Sequence, residues 1–493
     1  MQVEKSANRV EKALRTIIEE GFQLSPEAFD ALRKSRDPYE VVTKVLGRLK
    51  YEKKKPIVIG LEHLKPFLGL EAPPAKKVEA VTTPMERAIE VLKEPWLRGI
   101  RGETVEDYIN FFNSKFRRMR LLFRERPDTI GSLTIKEAKR REGEKVKVIA
   151  MVGGKREAKT GLPILLLEDL EDQITAVIPK DSNAITKSAK ILLDEVICVE
   201  GMVRGGMLIV TDIVWVDVSP KARKTKSGEI TYAVLVSDLH IGNALFAQEA
   251  FENFLAWMNG ESGDVNSDKL AEKVKYLLIA GDLVDGVGVY PGQEEELAIK
   301  DVEEQYRLLA KMLQKVPSSV SIIIVPGDHD ASRSALPRPP IYEEIAKPLY
   351  NLSNVRMLGD PVYLRIQGVE VLLTHGETMD DIIASIPGMS YSKPEEALVE
   401  LLRKRHLAPT FGRKVLVAPS ISDPLILEKV PDLICAGHAH VASYTEYKGV
   451  VVLVTGCWIH QTELQKKQGI KPAVGVALLI DLQSLKITKL SFT

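Results

Sequence analysis

The chain has 493 residues, which is too long for one hydrophobic core and predicts about three domains. Its 68 Lys and Arg residues balance 68 Asp and Glu residues, so net charge gives no indication of a nucleic-acid partner. Three widely separated cysteines exclude a disulfide framework and a CxxC zinc site. The N-terminus lacks the apolar segment of a signal peptide, and no apolar run reaches the about 18 residues of a spanning helix. We therefore expect a cytoplasmic protein without a membrane partner.

The N-terminal part of the chain has the features of a small helical domain, which we place at residues 1–70. Ser25-Pro26 and Asp37-Pro38 each put a capping residue before a proline at the first helical position, and amphipathic segments follow both. Four prolines then fall within residues 71–103, which predicts a linker.

Residues 104–218 are predicted to form a helix followed by an OB-fold barrel. Thr104 caps a helix whose second half is basic, and we interpret these cations as favoured by the helix C-terminus rather than as a phosphate-binding surface. Five strand-like segments follow, and a polar segment that fits a short helix separates the third from the fourth, as in an OB-fold. Trp215 is the one clear aromatic residue there, whereas base stacking needs several, so we expect a mainly structural barrel.

Apolar strands alternate with helical segments over residues 231–493, after a basic linker at 219–230, and this pattern predicts an α/β domain. Five short motifs in this domain each follow an apolar strand, at the sheet edge where ligands bind in open α/β folds. Their polar residues are Asp238, His240, Asp282, Asp328, His329, Asp330, His375, His438 and His440.

The composition and spacing of the motifs indicate a site for two metal ions. Side chains two positions apart on an extended segment point to the same side, so Asp238 with His240, and His438 with His440, can each grip one ion. Mixed carboxylate and imidazole ligands suit Mn, Fe or Zn better than Mg or Ca. Seven candidate ligands fit two ions that share a carboxylate, an arrangement that clamps both oxygens in phosphoryl chemistry. A single histidine after a strand is usually structural, but five of the eight histidines fall in these motifs.

The ordered set of motifs resembles that of the calcineurin-like metallophosphoesterases, whose fold has two stacked sheets flanked by helices. Within that group, the segments VPGDHDASRSALPRPP, HLAPTFG and TGCWIHQTELQKKQGIKP are similar to the small subunits of archaeal family-D DNA polymerases. The order of helical unit, linker, OB-fold and phosphoesterase domain is also that of the family. The resemblance covers essentially the whole chain and is most specific over residues 234–475.

The resemblance implies two ligand sets, each with one carboxylate and two imidazoles. The first metal would be held by Asp238, His240 and His440. The second would be held by Asp328, His375 and His438. Asp282 would bridge the two ions, for which manganese is the leading candidate and iron or zinc the alternatives.

The resemblance also implies an activity and partners. His329 would stabilise the transition state or protonate the leaving oxygen, and Asp330 would orient its ring. The activity would be a 3′–5′ exonuclease that edits the primer 3′ end of DNA. The main partner would be the large subunit, which carries polymerisation, with a sliding clamp and a primase as further candidates.

At one position the sequence departs from the usual GNHD motif of the family, because Asp328 replaces an asparagine. Both residues can ligate a metal ion, but the carboxylate adds negative charge. We expect this charge to tighten metal binding, to repel the phosphate and to weaken the cluster as a Lewis acid.

Two alternative functions are open. The chain could be a catalytically silent scaffold, like the second subunits of eukaryotic replicative polymerases, which share this architecture but lack the metal ligands. It could also be a stand-alone phosphatase or phosphodiesterase. The first is disfavoured because every metal position except 328 keeps its family residue, and the second because residues 1–230 precede the site.

Overall fold

The structure, a computed structural model, describes residues 10, 12–14, 16–17, 23–35, 37–49, 58–64, 89–98, 102, 104–221 and 230–493. The chain divides into two compact units between Thr83 and Pro84. In the described ranges, no helix combines the length and the apolar character that crossing a membrane requires.

In the first unit, the described residues between 10 and 17 are helical, and three further helices and a small parallel sheet follow. The elements are β1 (Gln23–Leu24), α1 (Pro26–Lys34), α2 (Pro38–Leu49), β2 (Val58–Ile59) and α3 (Leu61–Leu64). Both predicted caps are confirmed, because Ser25 Oγ accepts a hydrogen bond from Ala28 N at 3.2 Å and Asp37 Oδ1 accepts one from Glu40 N at 3.1 Å.

The first described element of the second unit is a strand, where the sequence predicted a linker. β3 (Ile89–Lys93) is followed by a 3-10 turn at Pro95–Arg98. The prolines at 84 and 95 flank this strand instead of interrupting it, so the linker prediction is wrong for residues 89–98. Most of the remaining predicted linker, and residues 222–229 of the basic linker, lie outside the described residues.

A long helix and a closed barrel follow, as predicted. The helix is α4 (Val105–Arg124), which begins at a capping box between Thr104 and Asp107. After α5 (Ile135–Lys139), the barrel strands pair in the order β4-β5-β6-β8-β7. They are β4 (Lys145–Glu157), β5 (Pro163–Glu168), β6 (Gln173–Val177), β7 (Val196–Arg204) and β8 (Met207–Val214), and α6 (Ile185–Ser188) separates the third from the fourth.

The rest of the chain forms two six-stranded sheets. The first has the order β12-β11-β10-β9-β18-β19. Its strands are β9 (Tyr232–Val236), β10 (Val274–Ala280), β11 (Ser321–Val325), β12 (Val355–Met357), β18 (Val476–Asp481) and β19 (Ile487–Ser491). The second has the order β16-β17-β15-β14-β13-β3, so the early strand forms its edge. Its other strands are β13 (Val362–Ile366), β14 (Val369–Leu373), β15 (Leu433–Ala436), β16 (Ser443–Tyr447) and β17 (Val450–Val454).

The two sheets bury a shared apolar layer, and helices cover their other faces. Leu235 and Leu278 of the first sheet belong to one buried cluster with Leu364 and Leu373 of the second. The covering helices are α7 (Gln248–Met258), α8 (Val265–Ala271), α9 (Val302–Leu313), α10 (Glu343–Tyr350), α11 (Met379–Ser385) and α12 (Pro394–Lys404). A further helix, α13 (Glu463–Gln468), has no buried residue. This is the two-sheet arrangement expected from the motif order.

The barrel is fixed to this α/β domain by buried polar contacts. Lys404 Nζ lies 2.6 Å from Glu195 Oε2 with both side chains almost fully buried, and it also lies 5.0 Å from the Trp215 ring. Trp215 therefore packs in the domain interface, in agreement with a structural barrel. The basic half of α4 has a similar role, because buried Lys115 donates to Pro409 O at 2.5 Å. The helix-terminus interpretation does not account for this contact.

Candidate metal centre

The nine predicted site residues follow the carboxyl ends of parallel strands. β9, β10 and β11 are mutually parallel, as are β14 and β15. Each motif comes within three residues of the end of one of these strands. The structure thus gathers residues that are up to 202 positions apart, from 238 to 440, at one edge of the two sheets.

Backbone strain is concentrated at these residues. Left-handed φ values occur at five of the seven candidate ligands: Asp238 (54°), His240 (48°), Asp282 (51°), His438 (67°) and His440 (59°). This region costs residues other than glycine on the order of 1–3 kcal/mol each and is found mainly at functional sites. The expectation that Asp238 with His240, and His438 with His440, lie on extended segments is therefore wrong.

The first ligand set lies together as predicted. His440 Nε2 lies 3.3 Å from Asp238 Oδ1 and 3.2 Å from His240 Nε2. Asp238 is fully buried, and His240 is nearly so. Three ligand atoms of this spacing can bind one cation.

The second set has the same composition. Asp328 Oδ1 lies 2.8 Å from His375 Nε2 and 3.5 Å from His438 Nδ1. His438 therefore belongs to a different set from His440. The expectation that these two histidines grip one ion is wrong.

Asp282 lies between the two sets. Its Oδ2 atom is 3.7 Å from His240 Nε2 and 3.4 Å from His375 Nε2. Gly327 makes this position accessible, since a Cβ at residue 327 would overlap the Asp282 carboxylate. One carboxylate thus faces both sets, as a bridging ligand must.

The electrostatics of the site favour cations. Burial lowers the pKa of His375, but Asp282 and Asp328 outweigh burial and raise this pKa well above its ordinary value. Burial raises the pKa of Asp328, but hydrogen bonds to His375 and His438 hold it well below its usual range. The carboxylates therefore stay ionised and attract positive charge. The donor set fits two divalent metals of the borderline class, which accept both carboxylate and imidazole ligands.

Asp285, which the sequence analysis missed, orients two of the histidines. Its Oδ1 atom accepts a hydrogen bond from His240 Nδ1 at 2.9 Å, and this leaves His240 Nε2 facing the first set. Its backbone oxygen accepts one from His329 Nδ1, also at 2.9 Å. In the sequence, Asp285 could have been found as the second aspartate of the segment GDLVDG, which also contains Asp282.

Asp330 does not orient the His329 ring, contrary to prediction. Its buried carboxylate accepts hydrogen bonds from Gly327 N at 2.9 Å and Leu283 N at 3.2 Å. It thus ties the loop after β11 to the loop after β10. Burial, together with Asp282, raises the pKa of Asp330 to about 6.

The other three imidazoles also have fixed orientations. His375 Nδ1 donates to Ala280 O at 2.8 Å, and His438 Nε2 lies 3.1 Å from Asp380 Oδ1. The remaining partner is Gln465 of α13, whose Nε2 lies 2.8 Å from His440 Nδ1. Such outer partners fix the tautomer and orientation of metal-binding histidines.

The site opens into a cavity of about 400 Å³. Its acidic lining comprises Asp282, Asp285, Glu296, Asp328 and Asp380. Tyr290, Tyr391 and Lys414 also line the wall, together with four of the candidate-site histidines. The cavity can admit the end of a chain molecule, and its five carboxylates oppose the approach of a phosphate.

Comparison with known proteins identifies the family. Residues 233–446 match the family model that describes the B-subunits of DNA polymerases alpha and epsilon. The chain is 39% identical over 428 residues to the DNA polymerase II small subunit of Pyrococcus horikoshii, covering 85% of this chain and 68% of the relative. It is 34% identical over 477 residues to that of Methanothermobacter thermautotrophicus, covering 96% and 98%. A solved archaeal phosphodiesterase matches 53% of this chain and 99% of its own at 13% identity, with a TM-score of 0.25, which is too low to support an argument. The chain therefore belongs to the family of archaeal DNA polymerase II small subunits.

Proposed function

We propose that the chain is a dimetal 3′–5′ exonuclease that hydrolyses the terminal phosphodiester of a DNA primer for proofreading. The observation that carries this proposal is the pair of equivalent ligand sets with the carboxylate of Asp282 between them. Two divalent ions bound there, manganese foremost, would polarise the phosphodiester and supply a nucleophile at neutral pH.

His329 is the residue proposed to move a proton. Its Nδ1 atom faces the Asp285 carbonyl oxygen, which only accepts, so Nδ1 carries a proton and Nε2 is the working atom. Burial lowers the pKa of His329, but Asp282 and Asp328 outweigh burial and raise it above its ordinary value. A protonated ring at this place would stabilise an anionic transition state and protonate the leaving oxygen.

A slow or silent scaffold is the second candidate, and Asp328 is the observation that favours it. Its carboxylate lies between two histidines, on the wall of the cavity that the phosphate must enter. An anion at this place opposes the approach of another anion.

The proposed main partner is a large polymerase subunit, since the named relatives are small subunits of DNA polymerase II. We place the contact on the barrel and the α/β domain, which are joined by the buried ion pair of Lys404 with Glu195. A sliding clamp and a primase are further proposed partners.

The proposal is tested with a primer–template that carries a mismatched 3′ terminus. A label at the 5′ end of the primer reports shortening from the 3′ end. We expect no cleavage in a chelator and cleavage after Mn²⁺ is added, because both ligand sets require cations. Full activity in the chelator would exclude a dimetal mechanism, and no cleavage with Mn²⁺ would favour the scaffold.

A further inference from the structure

A second cavity, of about 520 Å³, lies between the barrel and the α/β domain. One wall is the end of β4, with Lys155, Arg156 and Glu157. The opposite wall includes Arg413 and the end of α11 at Ser385. We call this cavity the interdomain cleft.

The interdomain cleft is basic and has unengaged cations. Three of its side chains are cationic, and Glu157 is the one carboxylate in its lining. Lys155 Nζ donates to Ile191 O at 3.0 Å. The exposed guanidinium groups of Arg156 and Arg413 make no hydrogen bond or ion pair with any residue that the structure describes. Two free guanidinium groups facing one cleft are suited to bind phosphate oxygens.

The cleft and the cavity of the metal centre share two walls. Lys414 lines the metal-centre cavity, and the preceding residue, Arg413, lines the cleft. Helix α11 likewise lines both cavities. Asp380 lines the metal-centre cavity and Ser385 lines the cleft, and the two residues are about 7 Å apart along the helix axis. The two cavities are therefore neighbours along this loop and this helix.

The loop between the two cavities is held on both sides. Phe411 N donates to Asp194 of the barrel at 3.0 Å, and Lys414 N donates to Asp381 of α11 at 3.0 Å. The Phe411 ring also packs against Phe111 and Phe112 of α4. The two cationic side chains thus project from a fixed backbone, which lowers the entropic cost of binding.

We propose that the interdomain cleft binds single-stranded DNA, as the continuation of the strand whose 3′ end enters the metal centre. The proposal rests on the exonuclease function proposed above. Arg156 and Arg413 bind backbone phosphates, and Lys414 guides the strand at the crossing. Among the described residues that line the cleft none is aromatic, so binding there is independent of base sequence.

The test measures binding of a fluorescent 12-nucleotide oligo-dT to the full chain in EDTA, by anisotropy at several salt concentrations. Replacing both arginines, R156Q/R413Q, removes two phosphate contacts. We expect the slope of log Kd against the logarithm of the salt concentration to decrease by about 1.4. At about 0.1 M salt this corresponds to about 25-fold weaker binding. The pair R156K/R413K keeps the charges and should retain the slope.

Matched controls are Arg204→Gln on the barrel and Arg356→Gln on β12, which are exposed and lie outside both cavities. These changes should leave binding unaltered. An unchanged salt slope in R156Q/R413Q, or a slope lost equally in the controls, would overturn the proposal. So would weaker pairing with the large subunit while oligo-dT binding stays intact, since the cleft would then be a protein interface.

The outcome is separable from that of the proposed exonuclease. Binding is measured without metal, so a silent metal centre does not affect it. Hydrolysis of bis(4-nitrophenyl) phosphate by the unaltered chain with Mn²⁺ tests the metal centre alone, because this ester is too small to reach the cleft.

Discussion

The metal centre and the interdomain cleft are neighbouring cavities of opposite character. The described lining of the first includes five carboxylates, four histidines and one lysine, whereas that of the second includes three cations and one carboxylate. The ligands of the first are mostly buried and strained, while Arg156 and Arg413 of the second are exposed. An acidic pocket binds metal ions tightly but attracts DNA poorly. The comparison suggests that affinity for the strand and chemistry on it are assigned to different surfaces.

The largest expected effect is at His329, where a substitution should lower cleavage without changing DNA binding. Replacing it, His329→Ala, should lower the cleavage rate on a mismatched primer by about 10²–10⁴-fold. Binding of oligo-dT should not change, because the ring is outside the cleft. His460→Ala is the matched control, an exposed histidine of the same domain. Normal turnover of His329→Ala would show that its assigned role is wrong.

The next effect tests the charge of the acidic cavity. A unit charge about 5 Å from a phosphate costs about 3 kcal/mol at an effective dielectric near 20, which corresponds to roughly a hundredfold in rate. Asp328→Asn should therefore raise turnover, by up to that factor, and weaken binding of the second metal. Single-turnover rates at saturating Mn²⁺ measure the first effect. Unchanged or lower turnover would mean that Asp328 is an adapted ligand of an active site.

A smaller effect is expected from Asp285, which acts through the histidines. Asp285→Ala removes the acceptor of His240 Nδ1 and should lower Mn²⁺ affinity about 10–100-fold. Asp285→Asn retains a carbonyl oxygen and should recover part of this affinity. A Mn²⁺ titration followed by electron paramagnetic resonance distinguishes the variants. Equal affinity in Asp285→Ala and the unaltered chain would contradict the positioning role.

The smallest effect concerns the first unit. Deleting residues 1–83 should leave pairing with the large subunit and binding of oligo-dT unchanged, because both assigned surfaces lie in the second unit. The deletion ends before β3, which belongs to a sheet of the α/β domain. Co-purification with the large subunit is the measurement. Loss of the complex would move the interface to the first unit.

The sequence was most informative where function depends on local order along the chain. The ligand motifs follow apolar strands, and parallel strands bring their ends together, so their grouping could be predicted. The orienting role of Asp285 and the backbone contacts of Asp330 could not, because they depend on how neighbouring loops pack. The strand β3 was missed for a related reason. Its partner is distant in the chain, as the ion pair of Glu90 with Arg365, 275 residues later, illustrates.

The central claim is that two ions are bound by two particular ligand sets. Anomalous diffraction from crystals of the chain grown with Mn²⁺ tests it most directly. We predict two peaks, one within ligand distance of Asp238, His240 and His440 and one within ligand distance of Asp328, His375 and His438, with Asp282 contacting both. A single peak, or none within reach of these residues, would contradict the account.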